Sequence, residues 1–182
     1  MDKLLINFDG ASHGNPGEAA VGIVLTDGQA NVVEEISRPI GRTTNNVAEY
    51  QALIEAARAV LPYRPERAIF FTDSQLLANQ INGLYRLRRP HLAKLNRAAR
   101  ELLDRLPRWQ VRYVERSANW RAHRLAQQAL QSHNEQLSAS GELKGSSELL
   151  ERLSRQAARL SESDQRKLLG YAARLLEESE ES

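Results

Sequence analysis

The chain has 182 residues, 41% apolar and 26% charged, a globular mix long enough for one domain and an appendage. It contains no cysteine, which excludes disulfides, thiolate zinc sites and cysteine nucleophiles. The formal charge of +2 hides an asymmetry: residues 131–182 hold 7 Lys+Arg and 10 Asp+Glu, net −3, and residues 1–130 hold 18 and 13, net +5.

Leu4 to Phe8 is a loosely alternating, β-rich run that stops at Asp9-Gly10, and it predicts a first strand. This opening segment is too short and too soon interrupted for a signal peptide, and no apolar run approaches transmembrane length. A cytoplasmic protein with no membrane partner is expected. Gly10, Gly14, Asn15, Pro16 and Gly17 predict a turn-rich loop. Val21 to Thr26 predicts a second strand, Asp27-Gly28 a hairpin turn and Val32 to Ser37 the return strand. Thr43 or Thr44 is placed to cap a helix that carries Val47, Tyr50, Leu53, Ile54, Ala57 and Val60 at helical spacing. Pro62 and Pro65 end it.

Ala68 to Thr72 predicts a short buried strand ending at Asp73, and Ser74 caps a short helix that stops near Asn82-Gly83. Pro90 opens a longer helix with Leu92, Leu95, Ala98, Ala99, Leu102 and Leu106 on one side. Gln110 to Val114 predicts the last strand, and Ala118 to Leu130 the last helix of this domain. The order βββ-α-β-α-α-β-α, a meander followed by βα units, gives an α/β fold with a five-stranded mixed sheet flanked by helices. The first strand and the one ending at Asp73 can lie side by side in parallel. Their C-terminal ends would then face one crevice, where open α/β sheets bind ligands.

Residues 86–100 carry Arg86, Arg88, Arg89, Lys94, Arg97 and Arg100 with no acid, which suits either a polyanion or a solvated helix face. Residues 131–147 are polar, with Gly141 and Gly145, and read as a linker after a domain over 1–130. Over 148–182, Leu149, Leu150, Leu153, Ala157 and Leu160 form one apolar stripe and Leu168, Leu169, Ala172, Leu175 and Leu176 another. They predict a C-terminal helical hairpin, with Ser161 or Ser163 capping its second helix. A lone hairpin buries both stripes poorly, so it docks on the domain or on a second copy, which leaves monomer and homodimer both open.

Three acids sit where a metal site needs them. Asp9 and Asp73 each end an apolar run, and Glu49 lies one turn into the helix after the meander. Carboxylates gathered in a crevice repel one another and resist desolvation unless a cation neutralises them. Hard oxygen ligands suit Mg²⁺ or Mn²⁺. Taken singly, each acid is as readily a surface carboxylate or a helix cap.

Asp9-Gly10-Ala11-Ser12-His13-Gly14-Asn15-Pro16-Gly17 resembles the opening motif of type 1 ribonuclease H. Thr44-Asn45-Asn46-Val47-Ala48-Glu49-Tyr50 resembles its second motif, Thr72-Asp73-Ser74-Gln75-Leu76 its third, and Asn119-Trp120-Arg121-Ala122-His123-Arg124-Leu125-Ala126 its fourth. The resemblance covers about residues 3–130 and leaves 131–182 uncovered. It implies the ribonuclease H-like fold and endonucleolytic hydrolysis of the RNA strand of RNA–DNA hybrids, giving 5′-phosphate and 3′-hydroxyl ends. It further implies two metals per site, Mg²⁺ or Mn²⁺. Asp9 would bridge both, Glu49 and Asp73 would hold the one on the leaving-group side, and position 123 the water-activating one. Gly10, Asn15, Asn45, Asn46 and Gln75 are then candidates for contact with the RNA strand and the minor-groove edges. Thr44 is a candidate for a phosphate of the DNA strand. Asn45 and Asn46 serve equally well as helix caps, and Gly14 and Gly17 as turn residues.

His123 stands where the family usually has aspartate. An imidazole is a softer ligand than a carboxylate, which favours Mn²⁺ over Mg²⁺ if His123 ligates. The alternatives are a catalytically weakened hybrid-binding module, a proton-handling role for His123, and a nuclease of this fold acting on duplex RNA. The segment Val114-Glu115-Arg116-Ser117-Ala118-Asn119 is short and lacks the histidine that many members carry there. The Tyr85–His91 connection is too short for the family's basic handle helix, so Arg86, Arg88 and Arg89 are candidates to replace it as phosphate contacts.

Overall fold

In a computed structural model, the structure describes residues 2–139 and the separate positions 155, 161 and 164. Strands β1 (Lys3–Gly14), β2 (Gly17–Asp27) and β3 (Val32–Thr43) form an antiparallel meander. Helix α1 (Asn45–Val60) follows, then β4 (Arg67–Thr72), α2 (Gln75–Ile81), α3 (Pro90–Leu103), β5 (Trp109–Tyr113) and α4 (Trp120–Ala139). The sheet order is β3-β2-β1-β4-β5, with β4 parallel to β1 and β5 parallel to β4. This is the five-stranded mixed sheet that the element order predicts.

All three strands of the meander outrun the sequence reading. β1 passes straight through Asp9-Gly10 because its pairing with β2 continues from Leu4↔Asp27 to Gly14↔Gly17. A hydrogen-bonded neighbour of that length overrides the turn preference of glycine. Only Asn15 and the cis-bonded Pro16 remain as the turn, with Gly14 at φ +99°. Alternation along β1 then sorts the two faces. Leu4, Ile6 and Phe8 are buried on one, packed with Tyr50, Leu53 and Ala57 of α1, Leu77 of α2 and Leu103 of α3. The other face meets α4, where Ala11 and Ala20 pack on Ala126, Ala129 and Leu130.

The caps follow sequence logic. The Val47 amide donates to Thr44 Oγ1 and the Leu77 amide to Ser74 Oγ, fixing the starts of α1 and α2. The Tyr50 hydroxyl, fully buried, donates to Gln80 Oε1 at 2.9 Å and accepts from Asn96 Nδ2 at 3.1 Å. One satisfied polar network thus ties α1, α2 and α3 together.

Helix α4 is longer than expected. It runs through 131–139, so the linker expected over 131–147 does not begin at 131. No glycine or proline interrupts the helix before Gly141, and His133 Nε2 faces Glu18 Oε2 of β2 at 3.5 Å. The chain divides into two units at Asn134/Glu135, a few residues beyond the expected end of the first domain. Of the C-terminal segment only positions 155, 161 and 164 are described. There the Asp164 amide donates to Ser161 Oγ at 3.2 Å, so Ser161 acts as a cap. The rest of the hairpin expected over 148–182 lies outside the described residues. No helix among the described residues is long and apolar enough to cross a membrane.

Two glycines set how near the helices come to the central strands. A Cβ at Gly10 would collide with the backbone of Ala48 and Glu49 in α1. A Cβ at Gly22 of β2 would collide with the Ala122 carbonyl and the Ala126 amide of α4. Gly22→Ala is expected to cost about 3 kcal/mol by overpacking, whereas Gly28→Ala, with only the Lys3 side chain at 3.9 Å, should stay within about 0.5 kcal/mol of wild type. Urea unfolding of the two variants checks this; equal midpoints would contradict the backbone contact.

Candidate active site

The register builds the site from the middle of the sheet outward. Asn7 pairs with Phe71, the last pair of β1 with β4, and two residues further along each chain stand Asp9 and Asp73. Asp9 lies opposite Gly22, so it points to the face that α4 covers. Gly22 lets α4 lie against the strand and brings His123 to Asp9: Nδ1 is 2.7 Å from Oδ2. On the opposite side, Gly10 lets α1 close in and delivers Glu49. Asp9, Glu49, Asp73 and His123 line one polar cleft of 300 Å³, together with Gly10, Ala11, Ser12, Asn45, Arg116 and Gln127.

Each acid has its own hydrogen-bond partners. The Ser74 hydroxyl donates to Glu49 Oε2 at 2.7 Å and Asn45 Nδ2 donates to Oε1 at 3.1 Å. Asn119 Nδ2 donates to Asp73 Oδ1 at 2.8 Å and to the Phe8 carbonyl at 3.0 Å. These contacts hold the acids apart in orientation. Among the described residues, no three acidic or histidine side chains form a ready cage for a single ion. Beside any cation, hydrogen bonds from Ser74, Asn45 and Asn119 moderate the repulsion within the cluster.

Burial pushes the Glu49 carboxyl from its ordinary 4.5 up to about 7; Ser74 opposes the shift, and the charges of Asp9 and Asp73 add to it. Burial likewise raises Asp9, against the hydrogen bond from His123 and with the charge of Asp73 adding.

Among the residues that sequence reasoning did not place in the site, Asn119 and Arg116 contact Asp73 directly. Asn119 is fully buried and ties β1 to Asp73, accepting from Asn7 Nδ2 at 3.0 Å. Its only signal in the sequence is its place at the head of the fourth motif. Arg116 lies in a 3-10 turn before α4; its guanidinium is 3.0 Å from His123 Nε2, and its Nε is 3.9 Å from Asp73 Oδ2. The same Arg116 nitrogen that approaches Nε2 is also 3.3 Å from His123 Nδ1, so the guanidinium lies beside the ring, and the ring's tautomer sets which nitrogen accepts from it.

The other candidates fall around the cleft. Asn45 lines it, and its amide donates to Asn15 Oδ1 at 3.2 Å, joining the β1–β2 turn to the start of α1. Thr44 caps that helix, and Asn46 sits in its first turn. Gln75 is exposed on the first turn of α2. Arg86, Arg88 and Arg89 are exposed in the connection before α3 and do not line the cleft.

A family model described as reverse transcriptase-like matches residues 7–129, more than half of the chain. The ribonuclease HI of Halobacterium salinarum is 45% identical over 123 residues, 68% of this chain and 62% of that protein. The chain belongs to the ribonuclease H type 1 family. The crystal structure of RNase H1 from the same archaeon superposes with a TM-score of 0.70 at 42% identity, over 71% of this chain and 98% of that one. LC11-RNase H1, solved in complex with an RNA/DNA hybrid, gives 0.68 at 32% identity, over 71% and 98%. The chain spans just under two thirds of the Halobacterium relative's own length.

Glu49 gives this ribonuclease H-type cleft a pH signature. The folded chain keeps a proton that the unfolded chain releases between pH 4.5 and about 7, so stability falls as pH rises through that window. In chelator, the loss attributable to Glu49 should reach about 3 kcal/mol, and Glu49→Gln should remove it. Denaturant unfolding of both proteins from pH 4 to 8 measures the difference. Parallel curves would show that Glu49 ionises freely in the fold.

Proposed function

We propose that the chain hydrolyses the RNA strand of RNA–DNA hybrids, giving 5′-phosphate and 3′-hydroxyl ends, with two divalent cations, Mg²⁺ or Mn²⁺, at the cleft. The supporting observation is the convergence of Asp9, Glu49, Asp73 and His123 on one polar cleft in a chain of this family. The donor set fits hard cations: three carboxylates share the cleft, and two of them, Asp9 and Glu49, are driven toward protonation first by burial and then by neighbouring carboxylate charge. In this reading Asp9 would serve both cations, Glu49 and Asp73 would hold one, and His123 would hold the other. When bound, the cations stabilise charge on the attacking and leaving oxygens of the phosphodiester.

The chain's own residues supply position and selectivity. Ser74, Asn45 and Asn119 orient the carboxylates. Arg116 orients the His123 ring and presents a positive charge to an incoming phosphate. Asn15, Asn45, Asn46 and Gln75 offer amide groups that can read 2′-hydroxyls in the wide minor groove, which selects an RNA strand. Thr44, Arg86, Arg88 and Arg89 serve as phosphate contacts. A hybrid substrate also matches the ligand of LC11-RNase H1.

One observation favours a second reading, a hybrid-binding module with weakened cleavage. His123 replaces a carboxylate, and its Nδ1 already engages Asp9. A labelled hybrid incubated with Mg²⁺ or Mn²⁺ separates the two. Cleavage is expected in both, faster with Mn²⁺, and Asp9→Asn should lower it at least about a hundredfold while hybrid binding persists. His123→Asp should raise the Mg²⁺ rate relative to the Mn²⁺ rate, and Arg116→Ala should lower turnover about tenfold. Tight hybrid binding with no cleavage in either metal would establish the second reading.

A further inference from the structure

Helix α4 leaves Trp120 55% exposed at its first turn. The sequence offers no core role for it, since the buried positions of α4 are Ala122, Ala126, Ala129 and Leu130. Trp120 lies instead on the side of α4 that borders the cleft. It precedes Gln127 by seven residues, which places the two within about 20° around the helix axis. Gln127 and His123 both line the cleft. Trp120 therefore continues the α4 wall of the site along its outer rim.

The indole has a cation on it. Arg124 Cζ lies 5.3 Å from the ring centroid, one helical turn along. Arg121 is committed to Glu35 at 2.7 Å, whereas Arg124 has no carboxylate partner among the described residues. Arg116, in the turn just before α4, contributes a second guanidinium at the cleft. An exposed aromatic ring carrying an arginine, beside a carboxylate cleft, is the composition that stacks bases and holds phosphates.

We propose that Trp120 and Arg124 form a seat for an unpaired nucleotide of the substrate, where a single-stranded extension borders the hybrid. Base faces inside a duplex are covered by their neighbours, so an exposed indole can take a base only where the stack ends. The cleft selects the hybrid, and the seat selects a junction between hybrid and single strand. This inference rests on the hybrid reading above.

The test uses the full chain carrying Asp9→Asn, so that substrate survives. Its affinity is measured for a blunt RNA–DNA hybrid and for the same hybrid with a 5′ or 3′ extension of either strand. One extended form should bind about tenfold more tightly than the blunt form and quench Trp120 emission, with Trp109→Phe removing the second indole of the chain. Trp120→Phe should keep that preference and Trp120→Ala should erase it, with unchanged thermal melting showing that both variants fold. Equal affinity for blunt and extended hybrids, or a preference that survives Trp120→Ala, overturns the seat alone. Failure of every hybrid to bind overturns the hybrid reading and the seat with it.

Discussion

The site depends on two backbone contacts, one on either face of the central hairpin. At Gly10 the absence of a side chain lets α1 touch β1, and at Gly22 it lets α4 touch β2. Gly10 follows Asp9 in sequence, and Gly22 is paired directly opposite Asp9. Asp9 is thus held where two helices close on the sheet from opposite sides. A methyl group at either glycine would push its helix outward, and the Asp9–His123 contact at 2.7 Å has no slack for such a shift. His123 reaches Asp9, and Glu49 enters the same cleft, because two strand positions carry no Cβ.

That geometry creates an electrostatic problem which the polar residues around it moderate. Three carboxylates in one cleft, partly removed from water, disfavour one another's charge, and Glu49 carries most of the burden as a carboxyl pushed up to about 7. Ser74 and Asn45 pull the other way by hydrogen bonding the ionised form. Asp73 has Asn119 at 2.8 Å and the Arg116 guanidinium nearby. The cluster is therefore poised. A bound cation would meet carboxylates whose repulsion it relieves.

The sequence made some parts of this legible and hid others for physical reasons. Asp9, Glu49 and Asp73 were readable because each follows a local pattern, two apolar runs ending in an acid and one acid a turn inside a capped helix. The βα order and both serine and threonine caps were local too. The length of β1 was not, since it depends on eleven paired positions with β2 rather than on Asp9-Gly10 itself. Gly22 reads as an ordinary strand residue until α4 is placed on it. Arg116 and Asn119 sit in a turn whose sequence suggests only a connection. Their partners Asp73 and Phe8 are distant in sequence, 43 residues for Arg116–Asp73 and 111 for Asn119–Phe8. The polar composition after Leu130 resembles a linker, yet α4 continues to Ala139 because no glycine or proline breaks it there.

His123 shows how a change of ligand type alters a site without dismantling it. A carboxylate at this position would add a fourth negative charge beside Asp9. The imidazole instead sits between an acid and a base, with Nδ1 2.7 Å from Asp9 Oδ2 and the Arg116 guanidinium 3.0 Å from Nε2. In the reading proposed above, a cation held at His123 would displace the Arg116 guanidinium from the ring, and the guanidinium would then stand in the cleft beside the substrate phosphate.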